Sequence, residues 1–124
     1  MAARVLIVDD EPSFRRVARQ LLELRGYLVV GEAGCAATAV ESVGSLAPDA
    51  ILMDVRLGDD NGFELARALT RQQPALAVLL VSNSDFRHLD PLIEDCGARG
   101  FALKSQLAGV DFAQFWPAPA EADA

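Results

Sequence analysis

From Arg4 to Val8 the chain is apolar and β-branched without alternation, and it runs straight into Asp9-Asp10-Glu11. A strand buried on one face alternates apolar with polar residues, so an unbroken apolar run predicts a strand covered on both faces. Pro12 suits the first turn of a helix. After it Phe14, Val17, Ala18, Leu21 and Leu22 recur at helical spacing until Gly26 closes the segment, which predicts a helix with that stripe turned to the core. Residues 27–30 read as a second strand, and Ala36 to Leu46 as a weaker helix whose inward face is mostly Ala and Val. Residues 50–53 form a third short apolar strand with Asp54 at its carboxyl end, followed by a loop.

Asn61 is placed to cap the next helix, with Glu64 three residues on as capping-box partner and Leu65, Ala66 and Leu69 on the buried side. Gln73-Pro74 ends it. Residues 77–81 predict a fourth strand, residues 82–84 a polar loop, and Asp85 a cap for a helix carrying Phe86, Leu89, Ile93 and Cys96 up to Gly97. Gly100 to Leu103 predict a fifth strand ending at Lys104. Ser105 is a possible cap for a last helix, which Gly109 interrupts and Pro117 ends early. Phe112, Phe115 and Trp116 near its end are expected to pack on the sheet. One domain over residues 1–116 and a flexible Pro/Ala/acid-rich tail over 117–124 follow from this punctuation.

Five strands alternating with helices call for a parallel sheet with helices on both faces, a doubly wound α/β domain with a short last helix. The composition agrees: 124 residues, 52% of them hydrophobic, suffice for one core. No apolar run reaches the roughly 18 residues of a membrane span, and the N-terminus lacks a signal-peptide pattern, so a cytoplasmic, membrane-free protein is expected. A net charge of −7 without a local Lys/Arg cluster argues against direct nucleic-acid binding. Cys35 and Cys96 have neither CxxC spacing nor a nearby histidine, and both are expected to be small buried hydrophobes. His88, the single histidine, is assigned no role.

In doubly wound sheets, ligands bind outside the carboxyl ends of the strands. Here those ends carry Asp9 and Asp10, Asp54, Ser82 and Lys104. Asp9-Asp10-Glu11 could cap the first helix. Alternatively, gathered with Asp54, the carboxylates would repel one another unless they share a proton or a cation, and an all-oxygen donor set suits Mg²⁺. Where a phosphate-cradling loop would place glycines, this chain places acids. With a metal neutralising one oxygen, Lys104 pairing with another and Ser82 donating to a third, a phosphoryl group can approach Asp54 as a carboxylate nucleophile.

The combined spacing of Asp9-Asp10, Asp54, Gly62, Ser82 and Phe101-Ala102-Leu103-Lys104 resembles the response-regulator receiver family over nearly the whole chain, Val5 to Lys104. The resemblance implies the flavodoxin-like strand order 2-1-3-4-5, an order for which a chemotaxis receiver is a standard example. It implies that Asp54 accepts a phosphoryl group, and that Asp10, Asp54 and the backbone carbonyl of Arg56 bind Mg²⁺, with Asp9 acting largely through water. Ser82 and Phe101 stand where the family has its switch residues, and Lys104 where it has its phosphate-binding lysine. The implied partners are a sensor histidine kinase or phosphotransfer protein, and an effector or a second copy met through helix 4, strand 5 and helix 5.

Such a domain is a signalling switch that promotes its own aspartyl phosphorylation and dephosphorylation, and not an enzyme acting on a separate substrate. Two rival readings are a phosphorylation-independent receiver module and a phosphatase of the haloacid-dehalogenase kind. The latter resembles Asp-x-Asp, whereas the residue two after Asp54 is Arg56. Three departures stand out. Gly58 replaces a frequent proline, so a looser loop is expected; Asn83 is larger than the usual residue beside the switch serine; Ser105 replaces the proline after the lysine. Arg56, Asn83 and Ser84 flank the site and are expected to tune access of donor or water.

Overall fold

The computed structural model describes residues 3–85 and 90–118. Strands β1 (Arg4–Val8), β2 (Leu28–Ala33), β3 (Ala50–Asp54), β6 (Ala77–Ser82) and β7 (Gly100–Leu103) form one sheet in the order β2-β1-β3-β6-β7. All of its pairings are parallel. Between β3 and β6 lies an antiparallel ribbon, β4 (Arg56–Leu57) with β5 (Asp60–Asn61). With the ribbon set aside, the order is the expected 2-1-3-4-5.

The absence of alternation has the predicted cause. Val5 and Ile7 pack on one side of the sheet with Ala50, Leu52, Ala77, Leu79 and Val81, while Leu6, Val8, Ile51, Met53, Val78 and Leu80 pack on the other. The second side is covered by α2 (Ala36–Leu46), α3 (Gly62–Gln72) and α4 (Asp90–Asp95), through Ala39, Val43, Leu65, Ala66, Leu69 and Ile93. The first is covered by α1 (Pro12–Leu24), through Ala18 and Leu22, and by the C-terminal segment, through Leu107, Phe112 and Trp116. Each fully buried Leu, Ile or Val contributes about 1.5–3 kcal/mol, so both faces matter to stability.

Several expectations are corrected. Strand β2 runs to Ala33, beyond residue 30, because Gly31, Glu32 and Ala33 pair with Leu6, Ile7 and Val8 after a register shift. The stretch expected to be a loop after Asp54 holds the β4–β5 ribbon. On α1, Ala18 and Leu22 are fully buried but Val17 is 60% exposed, so the buried stripe is narrower than the apolar one. Cys96 is buried as expected, whereas Cys35 is half-exposed at the start of α2, its sulfur 3.2 Å from Thr38 Oγ1. That hydrogen bond lowers the Cys35 thiol below its ordinary value. Ser105 caps nothing: it lies inside a 3₁₀ turn, Lys104–Gly109, whose N-cap position is Leu103. Phe86, Leu89 and His88 lie outside the described residues, as does the tail from 119.

The last helix is replaced by this turn and a second one, Phe112–Gln114. Its aromatic residues do pack on the sheet. Phe112 stacks on Trp116 at 5.0 Å between centroids, and Tyr27 meets both rings edge-on at 6.0 and 5.4 Å. The segment is tied to α1 by Arg25, which donates to the Val110 carbonyl at 2.7 Å and to that of Ala108, with its guanidinium 5.5 Å from the Phe112 centroid. Beyond Trp116 the chain returns beneath β1, where Ala3 N–H donates to the Ala118 carbonyl.

A candidate acidic site at the strand ends

Strands β1 and β3 are neighbours, and the chain leaves them on opposite sides, to β2 and to β6. Their carboxyl ends therefore open a crevice, the expected ligand position in such a sheet. Asp9 and Asp10 follow β1, and Asp54 closes β3. One carboxylate oxygen from each lies within 4.8 Å of the others. Asp9 is fully buried, Asp54 nearly so, and Asp10 is exposed. Three oxygens that close, open to solvent on Asp10's side, form a donor set suited to a hard divalent cation.

The countercharge comes from the residue that follows β7. Lys104 Nζ donates to Asp54 Oδ2 at 2.9 Å and sits 2.7 Å from Asp9 Oδ2, an ion pair outside hydrogen-bond alignment that leaves this oxygen without an aligned donor. Glu11 Oε1 stands 3.5 Å from the same ammonium. The remaining oxygens are held by backbone: Asp9 Oδ1 accepts from Glu11 N–H at 2.8 Å, Asp54 Oδ1 from Arg56 N–H at 3.0 Å, and Asp10 Oδ2 from Gly58 N–H at 3.1 Å. The capping alternative for the acidic triplet fails here, because Glu11 occupies the N-cap position of α1 without a side-chain cap bond.

Burial pushes the Asp9 carboxyl up to about 6, outweighing the lowering by Lys104 and the Glu11 N–H, and the charge of Asp54 adds to the rise. Burial would lower the Lys104 ammonium, but Asp9 and Asp54 outweigh it and hold that group above its ordinary value. The cluster of Asp9, Asp10 and Asp54 thus holds three carboxylates, and one ammonium contacts two of them. A cation beside them relieves their repulsion, which is the electrostatic reason that the donor set fits a metal.

The expected neighbours gather around this cluster. A 310 Å³ cleft is lined by Asp10, Glu11, Asp54, Arg56, Gly58, Ser82, Asn83 and Ser84. Ser82 ends β6, is buried, and its Oγ accepts from Ser84 N–H at 3.1 Å. Phe101, on β7, is half-buried against the core side of α2, α3 and α4. Gly62 explains how α3 starts so close to the site. Its N–H donates to Val55 O at 2.7 Å, and a Cβ there would lie 2.2 Å from the Asp54 carbonyl. Asn61 caps α3 by accepting from Phe63 and Glu64 N–H.

The loop expected to be loose is tied instead. Gly58 adopts φ +61°, closed to proline, and uses the N–H that proline lacks to hold Asp10. Asp60 accepts from Ala36 N–H at 2.9 Å, fastening the ribbon to α2. The sequence reading places Gly58 in the loop beside the site but misses its bond to Asp10, and it misses Glu11 and Phe14 as neighbours of Lys104. Phe14 packs against the core as its helical spacing predicts, and its ring centroid also lies 4.3 Å from Lys104 Nζ.

Comparison with known proteins agrees with this geometry. Residues 5–108 match the family model described as response regulator receiver domain. The chain is 39% identical to the DNA-binding transcriptional activator DevR/DosR of Mycobacterium tuberculosis over 114 residues, covering 90% of this chain and 51% of that protein. It is 33% identical to response regulator GacA of Pseudomonas aeruginosa over 109 residues, covering 87% and 50%. It spans about half the length of these curated relatives. Among solved structures, the signal receiver domain of the putative response regulator NarL from Mycobacterium tuberculosis matches with a TM-score of 0.78 at 34% identity, covering 87% of this chain and 88% of that one. A LuxR-family two-component response regulator from Aurantimonas sp. SI85-9A1 matches with a TM-score of 0.82 at 30% identity, covering 92% and 81%. The sheet order, the acidic crevice with its lysine and these matches together make the chain a member of the response regulator receiver family, the signalling switches of two-component systems.

Proposed function

We propose that Asp54 is the phosphoryl acceptor of this receiver, with Lys104 and Ser82 stabilising the transferred group and Mg²⁺ held by Asp10, Asp54 and the Arg56 carbonyl, Asp9 acting through water. The observation that carries the reading is the meeting of Asp54 and Lys104, 50 residues apart in sequence, at 2.9 Å beside the acidic cluster. When bound, Mg²⁺ supplies positive charge to phosphoryl oxygens that the carboxylates would otherwise repel. Asp54 attacks phosphorus, the P–N bond of a phosphohistidine donor breaks, and its electron pair stays on the imidazole, which takes up a proton from solvent. Lys104 gives up Asp54 Oδ2 for a phosphoryl oxygen, and Ser82 exchanges the Ser84 N–H for a bond donated to another.

That exchange at Ser82 is what moves Phe101 and biases the output surface. Here this surface consists of α4, β7 and the 3₁₀ turn Lys104–Gly109, because no final α-helix is present among the described residues. Arg56, Asn83 and Ser84, in the cleft wall, tune how fast donor and water arrive. The partners are a sensor histidine kinase or phosphotransfer protein and a protein effector or second copy; a net charge of −7 disfavours nucleic acid. We place the working domain in residues 1–116, with the remainder a tail, in the cytoplasm, and without activity on a separate substrate. No helix among the described residues is long and apolar enough to cross a membrane.

The test is incubation with acetyl phosphate and Mg²⁺ followed by intact-mass analysis. One phosphoryl group is expected on the wild type and none on Asp54→Asn. Equal labelling of both proteins would remove Asp54 from its role.

A further inference from the structure

We propose that Phe14 is a positioning residue for Lys104, holding the ammonium by its aromatic face while the lysine passes from Asp54 to the incoming phosphoryl group. The inference rests on the reading of Asp54 as acceptor. The lysine side chain is only 6% exposed, and its Nζ is surrounded by Asp9 at 2.7 Å, Asp54 at 2.9 Å and Glu11 at 3.5 Å. Of these, Asp54 accepts an aligned hydrogen bond, while Asp9 and Glu11 add ion pairs. The Phe14 ring stands against it from α1, 4.3 Å from centroid to Nζ, well inside the range in which a ring quadrupole attracts a cation.

Phe14 is itself held. It lies in the first turn of α1, started by Pro12, and the next residue, Arg15, anchors that turn by donating to the Asp9 carbonyl at 2.6 Å and to Glu32 Oε1 at 3.0 Å. On its outer side the ring lines a 440 Å³ groove with Val17, Leu21, Lys104 and Leu107, so an aliphatic residue would fill the space but supply no quadrupole. A lysine has a flexible four-carbon stem. When its bond to Asp54 Oδ2 is released, the remaining attractions of Asp9 and Glu11 draw the ammonium away from the phosphoryl oxygen. The ring is uncharged and does not compete for the N–H donors, so it restrains the ammonium without opposing the exchange.

The experiment compares wild type, Phe14→Leu and Phe14→Tyr. The ε-methylene protons of Lys104, followed by carbon–proton correlation NMR, are expected upfield of an ordinary lysine in wild type and Phe14→Tyr, and at the ordinary position in Phe14→Leu. The rate of acetyl phosphate labelling at saturating donor is expected to fall roughly three- to ten-fold in Phe14→Leu and to recover in Phe14→Tyr. An ordinary ε-methylene shift in the wild type, or labelling of Phe14→Leu at the wild-type rate, overturns the role of Phe14 alone. A wild type that takes no phosphoryl group overturns the Asp54 reading, and with it this role.

Discussion

Lys104 keeps its charge in a place where burial opposes it, because Asp9 and Asp54 sit within 3 Å of its ammonium. Asp9 loses the same contest: buried, and with a second carboxylate beside it, its carboxyl rises to about 6. The linkage has a definite sign. Between about pH 4 and pH 6 the folded state holds a proton on Asp9 that the unfolded chain, with its ordinary value of 3.8, has released. This contribution to stability is present at low pH and declines as pH rises through that window. Urea titrations without metal at pH 4.5 and pH 7 are therefore expected to show Asp9→Asn gaining on the wild type at the higher pH. An equal difference at both values would mean that Asp9 titrates normally. Asp10 differs because it is exposed, with Gly58 N–H as donor, and it meets the solvent side of the crevice.

The ribbon and the start of α3 act as one element that aims the site. Asn61 caps the helix, Gly58 ties Asp10, Asp60 ties α2, and Gly62 lets the helix backbone press on that of Asp54 and Val55. Asn61→Ala is expected to cost about 1 kcal/mol, the usual loss of a cap. Gly62→Ala is expected to cost about 1–3 kcal/mol, since the added carbon meets backbone that must shift. The two are separable in denaturant titration combined with backbone amide spectra: only Gly62→Ala should move the resonances of Asp54 and Val55. Asn61 was legible as a cap because short polar side chains before an apolar run have few other uses. The ribbon was not, because two-residue strands carry no periodicity. Val17 misled for a related reason, since spacing reports which residues share a helical face but not how wide a stripe the neighbouring elements cover.

For the molecule as a whole, the C-terminal segment shows how a sheet face can be closed without a regular helix. Two 3₁₀ turns bring Leu107, Phe112 and Trp116 down on β1, β3 and β6, and Arg25 holds the end of the first turn by the Ala108 and Val110 carbonyls. Trp116→Ala is expected to cost roughly 3–5 kcal/mol, as for other large aromatic truncations in a core, read from the urea midpoint. A cost below about 1 kcal/mol would mean that the segment decorates the fold without sealing it. Because this segment stands where the expected last helix would lie, this face of the molecule is shaped by 3₁₀ turns and not by an α-helix.

The apolar strands, the helical stripes and the polar residues at strand ends are local properties of the chain, and from them the α/β class, the parallel sheet and the candidates Asp9, Asp10, Asp54, Ser82 and Lys104 could be read directly. Local preference and burial on both faces leave few other ways to arrange such a pattern. What only the tertiary structure decided is who touches whom. Asp9 faces Lys104 while Asp10 faces Gly58, Glu11 joins the site instead of capping α1, and Phe14, packed at the edge of the core, also meets the ammonium of Lys104. Those contacts depend on distances between elements far apart in sequence, which side-chain periodicity does not encode.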